Sequence, residues 1–194
     1  MRRNRIIPLA AAALTLLFAL AGCGTVPQPR AVPRVAPQEI GGGFDPQQVV
    51  ASFFGDLDDA LHDPDLRDAT RRSYWVERLA SYFAPNERDD QRVILSQALT
   101  SFVQDMAQLA EDETLTLELR GFDNVEELPT DPADGQRATV RLPDAEIYML
   151  ITRAGPNGPV TIYEDTVGLD QLIGNPGKTV PLVNVGGRWY LTEG

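Results

Sequence analysis

Hydrophobic positions recur along this chain at three spacings, and each spacing predicts a different kind of element. From Ile6 to Leu20 they are almost continuous; from Val50 to Leu109 they return every three or four residues; from Leu115 onward they alternate. The middle stretch predicts three helices. In "DPQQVVASFFGDLDDAL" Asp45 supplies an N-cap, Pro46 suits the first helical position and Gln48 completes a capping-box-like pair. Val50, Phe54, Leu57 and Leu61 then form one stripe, with Phe53 beside it. "HDPDLRDATRRSYWVERLASYFAP" repeats the device with Asp63 as cap and Pro64 after it, a stripe of Leu66, Ala69, Ser73, Val76, Ala80 and Phe83, and Pro85 as its limit. The third, "NERDDQRVILSQALTSFVQDMAQLA", carries Leu95, Leu99, Phe102, Met106 and Leu109, widened by Ile94, Ala98 and Val103. That breadth predicts a helix covered by a sheet.

The period changes to two at "TLTLELRGF", which puts Leu115, Leu117 and Leu119 on one face, with Gly121 as a candidate bulge. Strand-like runs follow: "QRATVRL", "EIYMLITR", "GPVTIYEDTV" and "TVPLVNVGGRWYLTEG". Asn157 and Gly158 mark one turn, and Gly186 with Gly187 marks a tight hairpin whose last strand turns Trp189 inward and Arg188 outward. Helices first and antiparallel strands afterwards predict an α+β fold, with the three helices laid on one face of a curved antiparallel sheet.

The continuous apolar run belongs to none of this. "MRRNR", 15 apolar positions interrupted by Pro8, and the small residues Ala21 and Gly22 have the layout of a secretory signal over residues 1–22. The run is short for a membrane-spanning helix, which needs about 20 residues. "LAGC" (Leu20 to Cys23) resembles the lipobox of bacterial lipoproteins. The resemblance implies cleavage before Cys23, a diacylglycerol thioether on its sulfur, and acylation, as by palmitate, of the new amino terminus. Two or three such chains hold a protein on a membrane essentially permanently. The implied location is the extracytoplasmic face of the cell membrane. Gly24 is not the aspartate that marks inner-membrane retention in some bacteria, so the outer membrane is open where the cell has two. Residues 23–44, with four prolines and Gly41 to Gly43, read as lipid anchor and flexible tether. At roughly 3.1 Å per residue this tether reaches up to about 60 Å. The folded domain is then 45–194.

Composition narrows the partners. Cys23 is the only cysteine among 194 residues, so no disulfide or dithiol chemistry is available. Losing residues 1–22 removes three of the 17 basic side chains and none of the 28 acidic ones, leaving 14 against 28, a net charge of −14. Such a domain is repelled by nucleic acid and anionic surfaces.

The order of elements, with "VVASFFGDLDDAL" opening and "VGGRWYL" closing, resembles the NTF2-like superfamily of the cystatin-like cone fold over residues 45–194. "GLDQLIGNPGKTVPL" departs from that pattern as an apparent insertion. The cone encloses a pocket in its family, and the resemblance implies that Tyr74, Trp75, Tyr82, Tyr148, Tyr163 and Trp189 line one here, with Asp165 or Glu146 as conceivable bases. These aromatics are equally accounted for as core.

Other candidate chemistry reads as structural. His62, the only histidine, sits at a helix C-terminus, where a cation is favourable. "GNPGKT", which holds the only lysine, Lys178, has Leu172 where a phosphate loop needs its first glycine, and a strand follows rather than a helix. Asp123, Glu126, Glu127, Asp131 and Asp134 offer calcium-type oxygens, but not in EF-hand order, and read as a solvated acidic loop. No catalytic residue, metal or cofactor is assigned. Two readings of function remain: an anchored, non-enzymatic lipoprotein that binds a small apolar ligand or an envelope protein partner, or a cone-fold isomerase or hydrolase acting on a hydrophobic small molecule.

Overall fold

The computed structural model describes residues 41–129, 135–173 and 177–193; the expected export signal, Cys23 and most of the expected tether lie outside the described residues. Helix α1 (Pro46–His62) is capped as its sequence requires, Asp45 Oδ1 accepting from the Gln48 N–H at 2.9 Å with Pro46 in the first turn. Val50, Phe53, Phe54 and Leu57 are buried along it.

The second helix starts later than its sequence suggests. Asp63 closes α1, its N–H reaching the Ala60 carbonyl at 3.3 Å, and its carboxylate accepts from the Asp65 N–H at 2.9 Å, so it cannot also open a helix. The chain turns through Pro64–Arg67, and α2 (Ala69–Ala80) is capped by Asp68 instead. Ala69 and Ser73, expected on the buried stripe, are exposed, whereas Trp75, Val76, Leu79 and Ala80 are buried. Helix α3 (Arg88–Met106) buries Leu95, Ala98, Leu99 and Phe102 as the stripe requires.

Seven strands follow: β1 (Glu113–Arg120), β2 (Glu126–Leu128), β3 (Arg137–Arg141), β4 (Glu146–Gly155), β5 (Gly158–Gly168), β6 (Thr179–Val185) and β7 (Arg188–Leu191). A short helix, α4 (Leu169–Ile173), interrupts them, making a fourth helix beyond the three expected. Every strand pairing is antiparallel, and the expected single curved sheet is divided in two, ordered β1-β4-β5 and β2-β3-β6-β7.

The registers explain the division. Arg120 pairs with Glu146 where β1 and β4 meet, and Glu126 pairs with Arg141 where β2 and β3 meet; Glu146 also faces Gly168, and Arg141 faces Thr179. Thus β1 to β2 and β3 to β4 change sheet across short breaks at one crease, β5 and β6 change sheet on either side of α4, and β7 returns beside β6. The apparent insertion after Gly168 begins with α4 at the third of these crossings.

The crease is tied from strand to strand. The Leu169 N–H bonds the Ala145 carbonyl at 2.9 Å, and the Leu142 N–H bonds the Lys178 carbonyl at 3.0 Å. Gly121 crosses it with φ +69, at the end of β1 rather than in a bulge, and a Cβ there would lie 2.7 Å from the Asp144 carbonyl carbon. Leu142, Ala145 and Leu169 are fully buried in it, and the Phe122 ring meets Phe54 of α1 at 4.3 Å between centroids. The core therefore fills the angle between the helices and the fold line.

Gly186 and Gly187 form the two-residue turn expected, with φ +62 and +85. Trp189 packs against the core but is only partly buried, while Tyr190 and Leu191 are buried. Alternation fails on this strand because both of its sides are covered. Gly41–Phe44, expected to be tether, is docked: Gly43 bridges Trp189, and Gly42, φ +64, lies against the Tyr190 ring. Arg188, expected on the outer face, turns back to hold this segment, Nε donating to the Gly41 carbonyl at 2.9 Å and Nη2 to that of Gly42 at 3.1 Å.

Candidate functional site

The ends of α1 and α3 do not close completely over β1. Leu61 and His62 from the last turn of α1, Pro64, Leu66 and Arg67 from the turn that follows, Val103 and Met106 from α3, and Leu115 from β1 enclose a groove of about 320 Å³. This lies within the roughly 300–1,000 Å³ of small-molecule sites. A neighbouring, shallower space of about 470 Å³ is lined by Leu109, Glu111, Glu113 and Thr114 among others; Arg67, Met106 and Leu115 line both. Leu61, Val103, Met106 and Leu115 are half-buried extensions of the core, so the groove floor is apolar.

The charges around it are mostly committed. Asp63 lines the groove, but its carboxylate, 6% exposed, is turned toward α2, accepting from Trp75 Nε1–H at 2.6 Å and Arg71 Nε–H at 2.5 Å. The Trp75 bond first, and the Arg71 bond next, hold this carboxyl below its ordinary range. Glu113 pairs with Arg153 and accepts from the Ala110 N–H at 3.0 Å. His62 Nδ1 lies 2.9 Å from the Asp58 carbonyl of its own helix, the helix-terminus role its position implies. Arg67 is exposed, and its guanidinium makes no ion pair among the described residues.

The six aromatics expected to share a pocket are dispersed, and none lines this groove. Tyr74 is 52% exposed, with the Arg71 guanidinium 4.9 Å from its ring centre. Trp75 and Tyr82 are buried along the seam between α1 and α2, where each serves an aspartate: Trp75 serves Asp63, and the Tyr82 hydroxyl donates to Asp56 Oδ2 at 2.5 Å. Burial, then that Asp56 contact, pushes the Tyr82 hydroxyl far above its ordinary range.

Tyr148 sits in β4 between inward-facing Ile147 and Met149, so alternation turns it outward, where it meets Glu164 at 3.0 Å and Arg120. Tyr163 packs against the core and donates to Asp165 at 2.8 Å, its own pKa pushed up to about 12, mainly by burial. Trp189 stands beside the docked Gly43 as its antiparallel bridge partner. Asp165 and Glu146 belong to β5 and to the crease, away from the groove. Helical and strand periods placed these rings on faces; which faces meet is fixed by the crease, which no local pattern announces.

Lys178 has φ +49 and donates from Nζ to the Pro143 carbonyl at 2.8 Å, bracing the crease, and β6 follows directly. Of the acidic run, Glu126 bonds Arg141 Nε–H at 3.0 Å, and Asp131 and Asp134 lie outside the described residues. Among the described residues no group of three or more histidine, cysteine or carboxylate side chains is placed to hold a metal. The groove residues themselves were visible in the sequence as the frayed ends of apolar stripes, Leu61, Met106, Leu109 and Leu115, whereas Arg67 carried no signal. In comparison with known proteins, no family model, curated protein or solved structure matches this chain.

Proposed function

We propose that this chain is a membrane-anchored extracytoplasmic lipoprotein whose folded unit binds a small apolar ligand, without catalysis, in the groove between the ends of α1 and α3. The groove carries the reading: half-buried apolar side chains from three elements border an open volume there. The sequence "LAGC" supports attachment through Cys23, and the acidic balance of the rest fits a partner that is neither nucleic acid nor an anionic surface.

The architecture supports a cone of the NTF2-like kind. Three helices precede an antiparallel meander divided into two sheets, with the core between helices and strands and the groove bordered by α1, α3 and β1.

Two measurements test the reading. Fractionation should find the unaltered chain in the membrane pellet and Cys23→Ala in the supernatant; recovery of the variant in the pellet refutes lipid anchoring. Native mass spectrometry of the chain from Gly24 onward, purified from its source, should show a retained small molecule that Val103→Trp, filling the groove, expels. Equal retention by that variant refutes the groove.

A further inference from the structure

Resting on the groove reading above, we infer that the ligand is a fatty carboxylate, its chain lying along Leu61, Val103, Met106 and Leu115 and its head held by Arg67. Three observations carry this. The two volumes are neighbours that share Arg67, Met106 and Leu115 in their linings, one with an apolar floor and the other lined also by Glu111, Glu113 and Thr114, so together they suit an elongated molecule with unlike ends. Met106 stands at the junction, an unbranched and adaptable side chain suited to a flexible alkyl partner.

Arg67 also lines both volumes, and its guanidinium makes no ion pair among the described residues. The neighbouring acids are otherwise engaged: Asp63 by Trp75 and Arg71, Glu113 by Arg153 and a backbone N–H. Glu111, which lines only the more polar volume, is exposed. A guanidinium presents a planar fork that matches a carboxylate bidentately, and beside apolar surface the pair is less screened than in open water. In a chain with 28 acidic against 17 basic side chains, an unpaired cation at the mouth of an apolar groove selects an anionic head over a neutral one. The anchor adds proximity, since it would hold the groove within a tether's length of a bilayer.

The test is equilibrium binding of dodecanoate, dodecanol and dodecyl phosphate to the chain from Gly24 onward, which keeps every described residue, read by displacement of a fluorescent fatty acid. Dodecanoate should bind at least tenfold more tightly than dodecanol. Arg67→Gln, a change at an exposed position, should erase that margin by weakening dodecanoate more than dodecanol, and Arg67→Lys should restore part of it. Equal affinity for dodecanoate and dodecanol in the unaltered chain overturns the anionic head while leaving the groove intact. Tighter binding of dodecyl phosphate than of dodecanoate, by tenfold, overturns the carboxylate in favour of a phosphate head. Undiminished binding of dodecanol and dodecanoate by Val103→Trp overturns the groove itself.

Discussion

Gly43 and Trp189 exchange both of their backbone hydrogen bonds, Gly43 N–H to the Trp189 carbonyl at 3.0 Å and Trp189 N–H to the Gly43 carbonyl at 2.7 Å. One residue of the supposed tether thereby closes the outer edge of β7. Tyr82 and Ala84 close the rest of that edge, bonding the Leu191 N–H and carbonyl at 2.9 Å each. An edge strand left open is a template for pairing with other chains, so this cover matters for solubility as well as stability. It also makes Gly41–Phe44, four residues ahead of Asp45, part of the described fold.

Removal of residues 1–40 should therefore leave the melting temperature unchanged, whereas removal of 1–44 should lower it by several degrees. The longer truncation loses the Gly43–Trp189 pair and the Arg188 clamp, hydrogen bonds worth about 1 kcal/mol each, and uncovers Tyr190. Arg188→Ala should reproduce part of the loss. Gly42→Ala should do so without any truncation, because its φ of +64 and a Cβ 2.6 Å from Tyr190 Cε1 leave no room. Calorimetry on the four variants decides the matter; equal melting of both truncations would show that the docked segment contributes nothing.

Asp63 should make the fold sensitive to acid. Its carboxyl is held below the ordinary value of 3.8 by the Trp75 and Arg71 bonds, so the unfolded chain binds the proton more tightly than the folded one. The stabilisation is complete above the ordinary value and is lost as pH falls through the lowered one. Asp63→Asn should lower stability at neutral pH and flatten this acid limb. Urea midpoints across the acid range read both effects, and an unchanged limb in Asp63→Asn would assign the sensitivity elsewhere.

Helix existence, the Asp45 cap and the Gly186–Gly187 hairpin were legible in the sequence because each rests on residues within a few positions of one another. Asp63 was misassigned for the same reason: its local surroundings are those of an N-cap, but its carboxylate is claimed by Trp75, twelve residues on. Gly41–Gly43 has the composition of a linker, and only Arg188 and Trp189, at the other end of the chain, reveal it as part of the fold. The crease was hidden because its members, Gly121, Leu142–Ala145 and Leu169, are each unremarkable alone and are related by strand register. The groove shares that character, being bounded by two helix ends and a strand that sequence spacing cannot bring together.

The crease makes a comparison between two glycines informative. Gly121 and Gly186 have similar positive φ, +69 and +62, so alanine carries a comparable backbone strain of about 1–2 kcal/mol at each. They differ in space: a Cβ on Gly186 meets nothing within 4 Å, whereas one on Gly121 strikes the backbone of Asp144. Gly121→Ala should consequently be the more destabilising by a further kilocalorie or more, of order 1–3 kcal/mol, since backbone on both sides of the crease must move. Denaturant midpoints that rank the two alanines equally would mean that the crease yields freely.

Glu193 should act with the opposite sign to Asp63. It lies over the start of α3, where Gln91 Nε2 donates to its carboxylate and Glu87 accepts from the Thr192 hydroxyl at 2.7 Å and the Glu193 N–H at 3.1 Å. Burial raises its pKa above the ordinary 4.5; the Glu87 and Asp90 charges add to the rise, and the Gln91 bond opposes it. The folded chain therefore holds this proton more tightly than the unfolded chain does. Its contribution to stability is complete below 4.5 and disappears as pH climbs through the raised value. Glu193→Gln keeps a neutral, hydrogen-bonding side chain at every pH, so it should be more stable than the unaltered chain near neutrality and lack the decline on the way there. Urea midpoints from about pH 4 to 7 measure that decline directly. If Glu193→Gln is no more stable at pH 7, the carboxylate is already relieved by solvent, and the repulsion from Glu87 and Asp90 carries no weight in the fold.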